Sequence, residues 1–220
     1  MMSIFAQRRT VRKYTQKPVD KDLLTKVLTE AVSAPSWANS QPWEVYVAAG
    51  DVLEQLRAAY TDSFDKGEPG NPDLAYPQSW PDYLQERMNR AYQETFQAMG
   101  IERDDKQARE ANWRNNFRFF EAPVAVFLCL DQSLNEWSIL DLGLFAQNLM
   151  LAAVANGLDC APAASSISYP QHLRRILGIP EQHKIIVGIM LGYGDHEHPY
   201  NQVKTSRVPL TENIRLIGIE

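Results

Sequence analysis

The sequence predicts an α+β domain, with a mixed central sheet and helices on both faces. Three observations lead there. Residues 123–130 form an unbroken apolar run, the pattern of a strand buried on both sides. Residues 184–191 read as another buried strand, apolar after Lys184. Around these two lie helical periodicities, without the regular strand-helix alternation of a doubly wound sheet.

Each element follows in order. Ser3 can cap a short first helix that reaches Arg8, Arg9 and Arg12. Asp20 caps the next, where Leu23, Leu24, Val27, Leu28, Ala31 and Val32 recur at helical spacing. Residues 43–48 alternate, with Trp43, Val45 and Val47 on one side, and read as a strand. Gly50 and Asp51 end it and open a helix carrying Val52, Leu53, Leu56 and Ala59. From 62 to 82, Gly67, Pro69, Gly70, Pro72, Pro77 and Pro81 break any regular pattern. Two polar helical stretches follow, at about 83–99 and 104–118. Residues 62–112 therefore read as a helical excursion, either a lid or dimer-covering arm or a plain surface elaboration. Residues 135–156 make the longest helix, apolar around much of its circumference, suited to the core or a dimer contact. Asn156 and Gly157 stop it. Residues 160–169 read as a small-residue loop, and 170–177 as a helix halted by Gly178. The tail from Arg207 to Glu220 carries Leu210, Ile214, Leu216, Ile217 and Ile219. Such an apolar tail needs a partner, and exchange with a second copy of the chain is the economical one.

The chain's 220 residues suffice for a single domain over 1–220. At 45% hydrophobic and 22% charged it falls in the soluble globular class. A net charge of −5 argues against nucleic-acid binding, which needs a basic surface. Cys129 and Cys160 form no C-x-x-C pair and read as buried thiols in a reducing compartment. The first residues carry no apolar signal core, and no segment is expected to span a bilayer. A cytoplasmic location is expected, with no membrane partner.

Two segments carry chemistry. Ala34-Pro35-Ser36-Trp37-Ala38-Asn39-Ser40-Gln41-Pro42-Trp43 is a proline-bracketed ledge of hydroxyl and amide groups. Arg8-Arg9-Thr10-Val11-Arg12-Lys13 is a cationic knot in an acidic chain. Singly they read as a capped loop and a solvated helix end. Jointly they suggest an anionic, planar, hydrogen-bonding cofactor, and flavin mononucleotide (FMN) suits them best. A flavin phosphate wants arginines, its reduced ring wants a nearby cation, and its N5 edge wants close backbone approach. Arg8, Arg9 and Arg12 meet the first two demands, if they share a helical side. Pro162, Ala163, Ala164 and Ser165 have side chains small enough to meet the third. Arg207, with Lys204 nearby, completes a phosphate clamp.

On these residues the chain resembles the FMN-dependent nitroreductase family. The signatures are Arg8-Arg9-Thr10-Val11-Arg12 followed by Pro18-Val19, then Ala34-Pro35-Ser36 with Asn39-Ser40-Gln41-Pro42-Trp43. Asp141 to Ala153, and Leu191-Gly192-Tyr193-Gly194 leading to Arg207-Val208-Pro209-Leu210, add weaker support. The nitrobenzoate-reductase-like members are nearest. The resemblance implies an obligate homodimer with two flavin sites at its interface. It implies that Arg8, Arg9 and Thr10 hold the phosphate and ribityl chain, that Arg12 lies near the pyrimidine side, and that Arg207 binds phosphate. Pro35, Ser36 and Asn39 would come from the other subunit, and Gln41 would hydrogen-bond the flavin. Pro162 to Ser165 would run along the dimethylbenzene and N5 side, with the Ala164 amide at N5. Asn116, Phe117 and Phe120 are candidates to line an acceptor pocket, core packing being the plainer role for at least one phenylalanine. Trp37 is bulkier than the small residue expected there; it narrows the pocket, stacks on a bound aromatic, or packs at the interface. Lys204 stands one position off the expected basic residue.

The implied activity passes two electrons from NADH or NADPH, through flavin N5, to a nitroaromatic or quinone. Gly192-Tyr193-Gly194 begins like a dinucleotide fingerprint, but Glu197 replaces the third glycine and Pro199 blocks a following helix. Without a separate nicotinamide domain, reductant and acceptor share one site in a ping-pong cycle. No side-chain acid or base is assigned. Asp195, His196 and His198 offer no convincing metal set, so no metal is expected. Dehalogenation, enoate reduction or flavin fragmentation on the same scaffold, or a non-catalytic flavin-binding role, remain open alternatives.

Overall fold

The computed structural model describes residues 3–219; Glu220, the end of the expected tail, lies outside them. A four-stranded sheet in the order β1-β2-β4-β3 forms the centre. Its strands are β1 (Glu44–Ala49), β2 (Val124–Asp131), β3 (Asp159–Ala163) and β4 (His183–Gly192). All three pairings are antiparallel. Among the described residues, the parallel character expected of a mixed sheet is a single bridge, Thr10 to Cys160, on the outer edge of β3.

Strand β2 is buried along almost its whole length, because helices cover both faces of the sheet. Its alternate residues feed two cores. Ala125, Phe127 and Cys129 join Leu53, Leu56, Tyr60 and Leu173, from α3 (Gly50–Asp65) and α7 (Pro170–Leu177). Val124, Val126, Leu128 and Leu130 join Val27, Ala31, Phe145 and Leu149, from α2 (Lys21–Ala31) and α6 (Glu136–Ala155). The caps are those the sequence implies: the Asp20 carboxylate accepts from the Asp22 and Leu23 amides, and Asn135 caps α6. Gly157 follows α6 with a positive φ of 77°, a conformation that closes a helix at little cost for glycine.

Three readings are corrected. The segment after α1 (Ile4–Gln7) is not helical: Arg8 already has extended dihedrals, since the chain turns out to pair with β3. The expected loop at 160–169 begins as β3 and continues as a 3-10 turn, Ala164–Ile167. Pro162 is tolerated there because β3 is an edge strand and no inner ladder needs its amide. By length and composition alone, α6 is apolar enough to cross a membrane, with mean hydropathy 1.5, where none was expected. In the fold, Leu142, Phe145, Leu149, Ala152 and Ala153 pack against the sheet, while Trp137, Leu140 and Leu144 stay exposed.

The excursion supplies α4 (Asp82–Ala98) and α5 (Lys106–Phe117). Short helices α8 (Pro199–Gln202) and α9 (Leu210–Asn213) punctuate the C-terminal segment, whose Leu210, Ile214, Leu216, Ile217 and Ile219 are all exposed.

Candidate functional site

The cationic residues from both ends of the chain meet in one cleft of about 870 Å³. Arg8, Arg9, Thr10 and Arg12 line it from the N-terminal segment, and Lys204 and Arg207 from the C-terminal one. The fold makes this meeting by backbone bonds. Val11 N donates to the Cys160 carbonyl at 3.0 Å, and Thr15 N to the Tyr193 carbonyl at 2.8 Å. The Thr10–Cys160 bridge is parallel, so the chain from Arg8 to Arg12 runs the same way as β3.

Individual cations are held differently. The Arg9 guanidinium donates to His196 Nδ1 at 2.6 Å, and His196 Nε2 lies 3.2 Å from the Asp159 carboxylate. Because arginine can only donate, Nδ1 must accept, which leaves the ring proton on Nε2 facing Asp159. The Arg12 guanidinium lies over the Tyr200 ring, 5.5 Å from its centroid. Arg207 donates to the carbonyl and hydroxyl of Thr205 and to the Ser206 carbonyl, at 3.1–3.2 Å.

Strand β3 leads away from the cleft. Its five residues cover about 13 Å from Asp159 to Ala163, at ~3.3 Å per residue. There Pro162 and Ala164 are exposed, and Ser165 Oγ lies 3.4 Å from Asn116 Oδ1. The Ala164 carbonyl accepts from the Tyr76 hydroxyl at 3.0 Å, which ties the excursion to this turn.

The polar ledge sits elsewhere. Trp37 N donates to both Asp141 oxygens at 3.1 Å, and the Trp37 ring meets Trp137 edge-on at 5.1 Å. Gln41 N donates to Ser36 Oγ at 2.9 Å. Ala38, Asn39 and Gln41 all have positive φ, an unfavourable conformation for residues with a Cβ. Asp141 is near one end of α6, and Val154 of the cleft is near the other. Thirteen helical residues separate them by about 20 Å, at ~1.5 Å each. Pro35, Ser36, Trp37, Asn39 and Gln41 are thus not brought to the cationic cleft of their own chain.

Two candidate pocket residues belong to the core. Phe117 and Phe120 are buried, and Phe117 stacks on Phe64 at 4.7 Å. Phe119, Phe120 and Glu121 form a left-handed turn, with φ of 52°, 54° and 60°. Both phenylalanine rings are anchored in the interior, and Arg57 donates to the carbonyls on either side of the turn, Arg118 and Ala122. Glu121 pairs with Lys13 and Arg118, which holds its carboxyl below the ordinary range. Cys129 and Cys160 are free and buried, and burial pushes each thiol up to about 12.

Sequence reasoning missed His196, which lines the cleft, and Asn201, buried next to Tyr200 of that lining. Asn201 is 1% exposed and binds the main chain of Arg12, Lys13 and Asp195. Pro199, read from the sequence as blocking a helix, instead opens α8 at its first position, where a missing amide costs nothing; nothing local marks the asparagine two residues later as buried.

The fold and this assembly of residues define a known class. The chain belongs to the nitroreductase family, whose model matches residues 5–193. Over 212 residues it is 32% identical to the nitrobenzene nitroreductase of Ectopseudomonas oleovorans, covering 95% of this chain and 93% of that one. The crystal structure of the FMN and NADPH-dependent nitroreductase NfnB from Sphigopyxis sp. strain HMH superimposes with a TM-score of 0.94, at 32% identity and 98% coverage of both chains. The FMN-dependent nitroreductase NfnB of Mycobacterium smegmatis, solved in complex with NADPH, gives 0.93 at 30% identity, covering 97% of this chain and 96% of that one.

Proposed function

We propose that this protein is an FMN-dependent oxidoreductase that takes two electrons from NADPH or NADH and passes them to a nitroaromatic or quinone. One observation carries the reading: arginines from both ends of the chain converge in a cleft at the start of β3, and β3 leads from there to a turn of small residues. That donor set suits a phosphate at one end and a flat ring at the other. Similarity to enzymes named for FMN, NADPH and nitroaromatic reduction supports it.

Arg8, Arg9, Thr10 and Arg207 would bind the phosphate and ribityl chain. Arg12 would place positive charge beside the pyrimidine edge, favouring the electron-rich form of the ring electrostatically. Pro162, Ala163, Ala164 and Ser165 would offer backbone groups to the N5 edge. FMN, when bound, would supply the two-electron redox chemistry. No side chain need act as acid or base; the protein orients and shields.

The ledge of Pro35, Ser36, Asn39 and Gln41 reaches such a site from a second copy of the chain. Its distance from its own cleft favours a homodimer, as do the exposed Trp37, Trp137, Leu140, Leu144 and the apolar tail. Reductant and acceptor would take turns at one mouth, giving ping-pong kinetics. A cytoplasmic location suits two buried, reduced cysteines.

The test is anaerobic mixing of the FMN-loaded protein with NADPH or NADH, followed by a nitroaromatic. The account expects bleaching of the flavin by the nicotinamide and recovery of colour with the acceptor. A flavin that neither nicotinamide bleaches would reject it in favour of a flavin-holding role.

A further inference from the structure

We propose that Asn201 is a positioning residue that sets the two halves of the phosphate clamp in register. The inference rests on the FMN reading above and names a residue outside the direct contacts assigned there.

The clamp has two halves from opposite ends of the chain. Arg8 and Arg9 come from the N-terminal segment, and Lys204 and Arg207 from the segment after α8. Asn201 is on α8, three residues before Lys204, and is 1% exposed. Its Oδ1 accepts from Arg12 N at 2.8 Å. Its Nδ2 donates to the Lys13 carbonyl at 2.7 Å and to the Asp195 carbonyl at 2.8 Å. The amide's acceptor and both its donors are therefore engaged, with partners on two separate strands of chain. No other side chain type of this size offers one acceptor and two donors in one plane.

Neighbouring contacts reinforce the joint. Asp195 N donates to the Lys13 carbonyl at 3.0 Å, and Tyr200, beside Asn201 on α8, carries the Arg12 guanidinium on its ring. Val11 N is fixed on Cys160. The N-terminal arginines are thus tied to β3 on one side and to α8 on the other. Lys204 and Arg207 follow α8 by a few residues, with Arg207 bonded to its own segment. Removing the amide would free the second tie, leaving one amide and two carbonyls without this partner.

The experiment compares FMN with riboflavin, which lacks the phosphate, in the full-length protein and in Asn201→Ala. Dissociation constants are read by flavin fluorescence, and folding by far-UV circular dichroism. Wild type should prefer FMN. The variant should lose about tenfold in that preference, the ratio expected for roughly 1.4 kcal/mol of lost clamp binding. A loss shared equally by FMN and riboflavin, or no loss, would overturn the proposal. Should Asn201→Ala fail to fold, Asn201→Asp keeps the size and the acceptor while removing both donors, and the same drop in preference is expected. Failure of both to fold would assign Asn201 to global stability and reject the proposal. If wild type itself showed no preference for FMN, the cofactor reading would fall instead, so the two failures are distinguishable.

Discussion

Replacing Asp141 with alanine should weaken FMN binding about thirtyfold while the chain stays folded. Asp141 is 6% exposed, and both of its carboxylate oxygens lie 3.1 Å from the Trp37 amide. That bond fixes the entry to a ledge containing three residues at positive φ, Ala38, Asn39 and Gln41. Left-handed geometry costs a non-glycine residue about 1–2 kcal/mol, so the ledge keeps its shape only while anchored. A hydrogen bond to a charged acceptor contributes about 1.5–3 kcal/mol. Taking about 2 kcal/mol as the ordering the flavin would have to supply gives roughly thirtyfold in affinity. The assay is flavin fluorescence titration of Asp141→Ala beside wild type, with sedimentation to follow assembly. Unchanged FMN affinity in a folded variant would refute the reasoning, because the ledge would then play no part in the site.

Other expectations follow the same logic. Arg12→Ala should slow reduction of bound FMN by NADPH in stopped flow more than it weakens FMN binding; reduction at the wild-type rate would remove Arg12 from its electrostatic role. Gly188→Ala would drive a Cβ against Ser166 Oγ and set it 2.8 Å from Ser166 Cβ, displacing the turn beside Ala164; a thermal melt should show a loss of about 1–3 kcal/mol, typical of overpacking. With burial pushing both thiols up to about 12, Cys129 and Cys160 stay protonated at pH 8. A thiol reagent should therefore label neither in the folded protein and both after denaturation. Glu121 is held below its ordinary value of 4.5, chiefly by its hydrogen bond from Lys13 and then that from Arg118. Its stabilising contribution is full above that value and fades as pH falls through the lowered one, so denaturation midpoints of Glu121→Gln and wild type should converge in acid.

How much of this was legible depended on whether local pattern alone decides structure. β2 and β4 were readable because burial on both faces leaves an unbroken apolar run. α7 was readable to the residue because Pro170 opens it and Gly178 closes it. β3 was not, since small residues and a proline give no alternation; its strand form comes from pairing with β4. The cationic segment 8–12 read as the end of the first helix, and the distant bridge to Cys160, which no local pattern announces, makes it extended instead. The arginines were nonetheless recognised as one group, because charge type survives a wrong secondary structure. Phe117 and Phe120 showed the reverse: an aromatic near a site carries no mark that separates lining from core. Asn201 was invisible because its importance lies in bonds to residues far away in sequence.

The most direct measurement mixes two inactive variants. Arg8→Ala/Arg12→Ala impairs the cleft, and Ser36→Ala/Asn39→Ala impairs the ledge. If each flavin sits between the cleft of one copy and the ledge of another, mixed dimers regain half the wild-type flavin content. Mixed dimers that hold no more flavin than either parent would contradict a shared site.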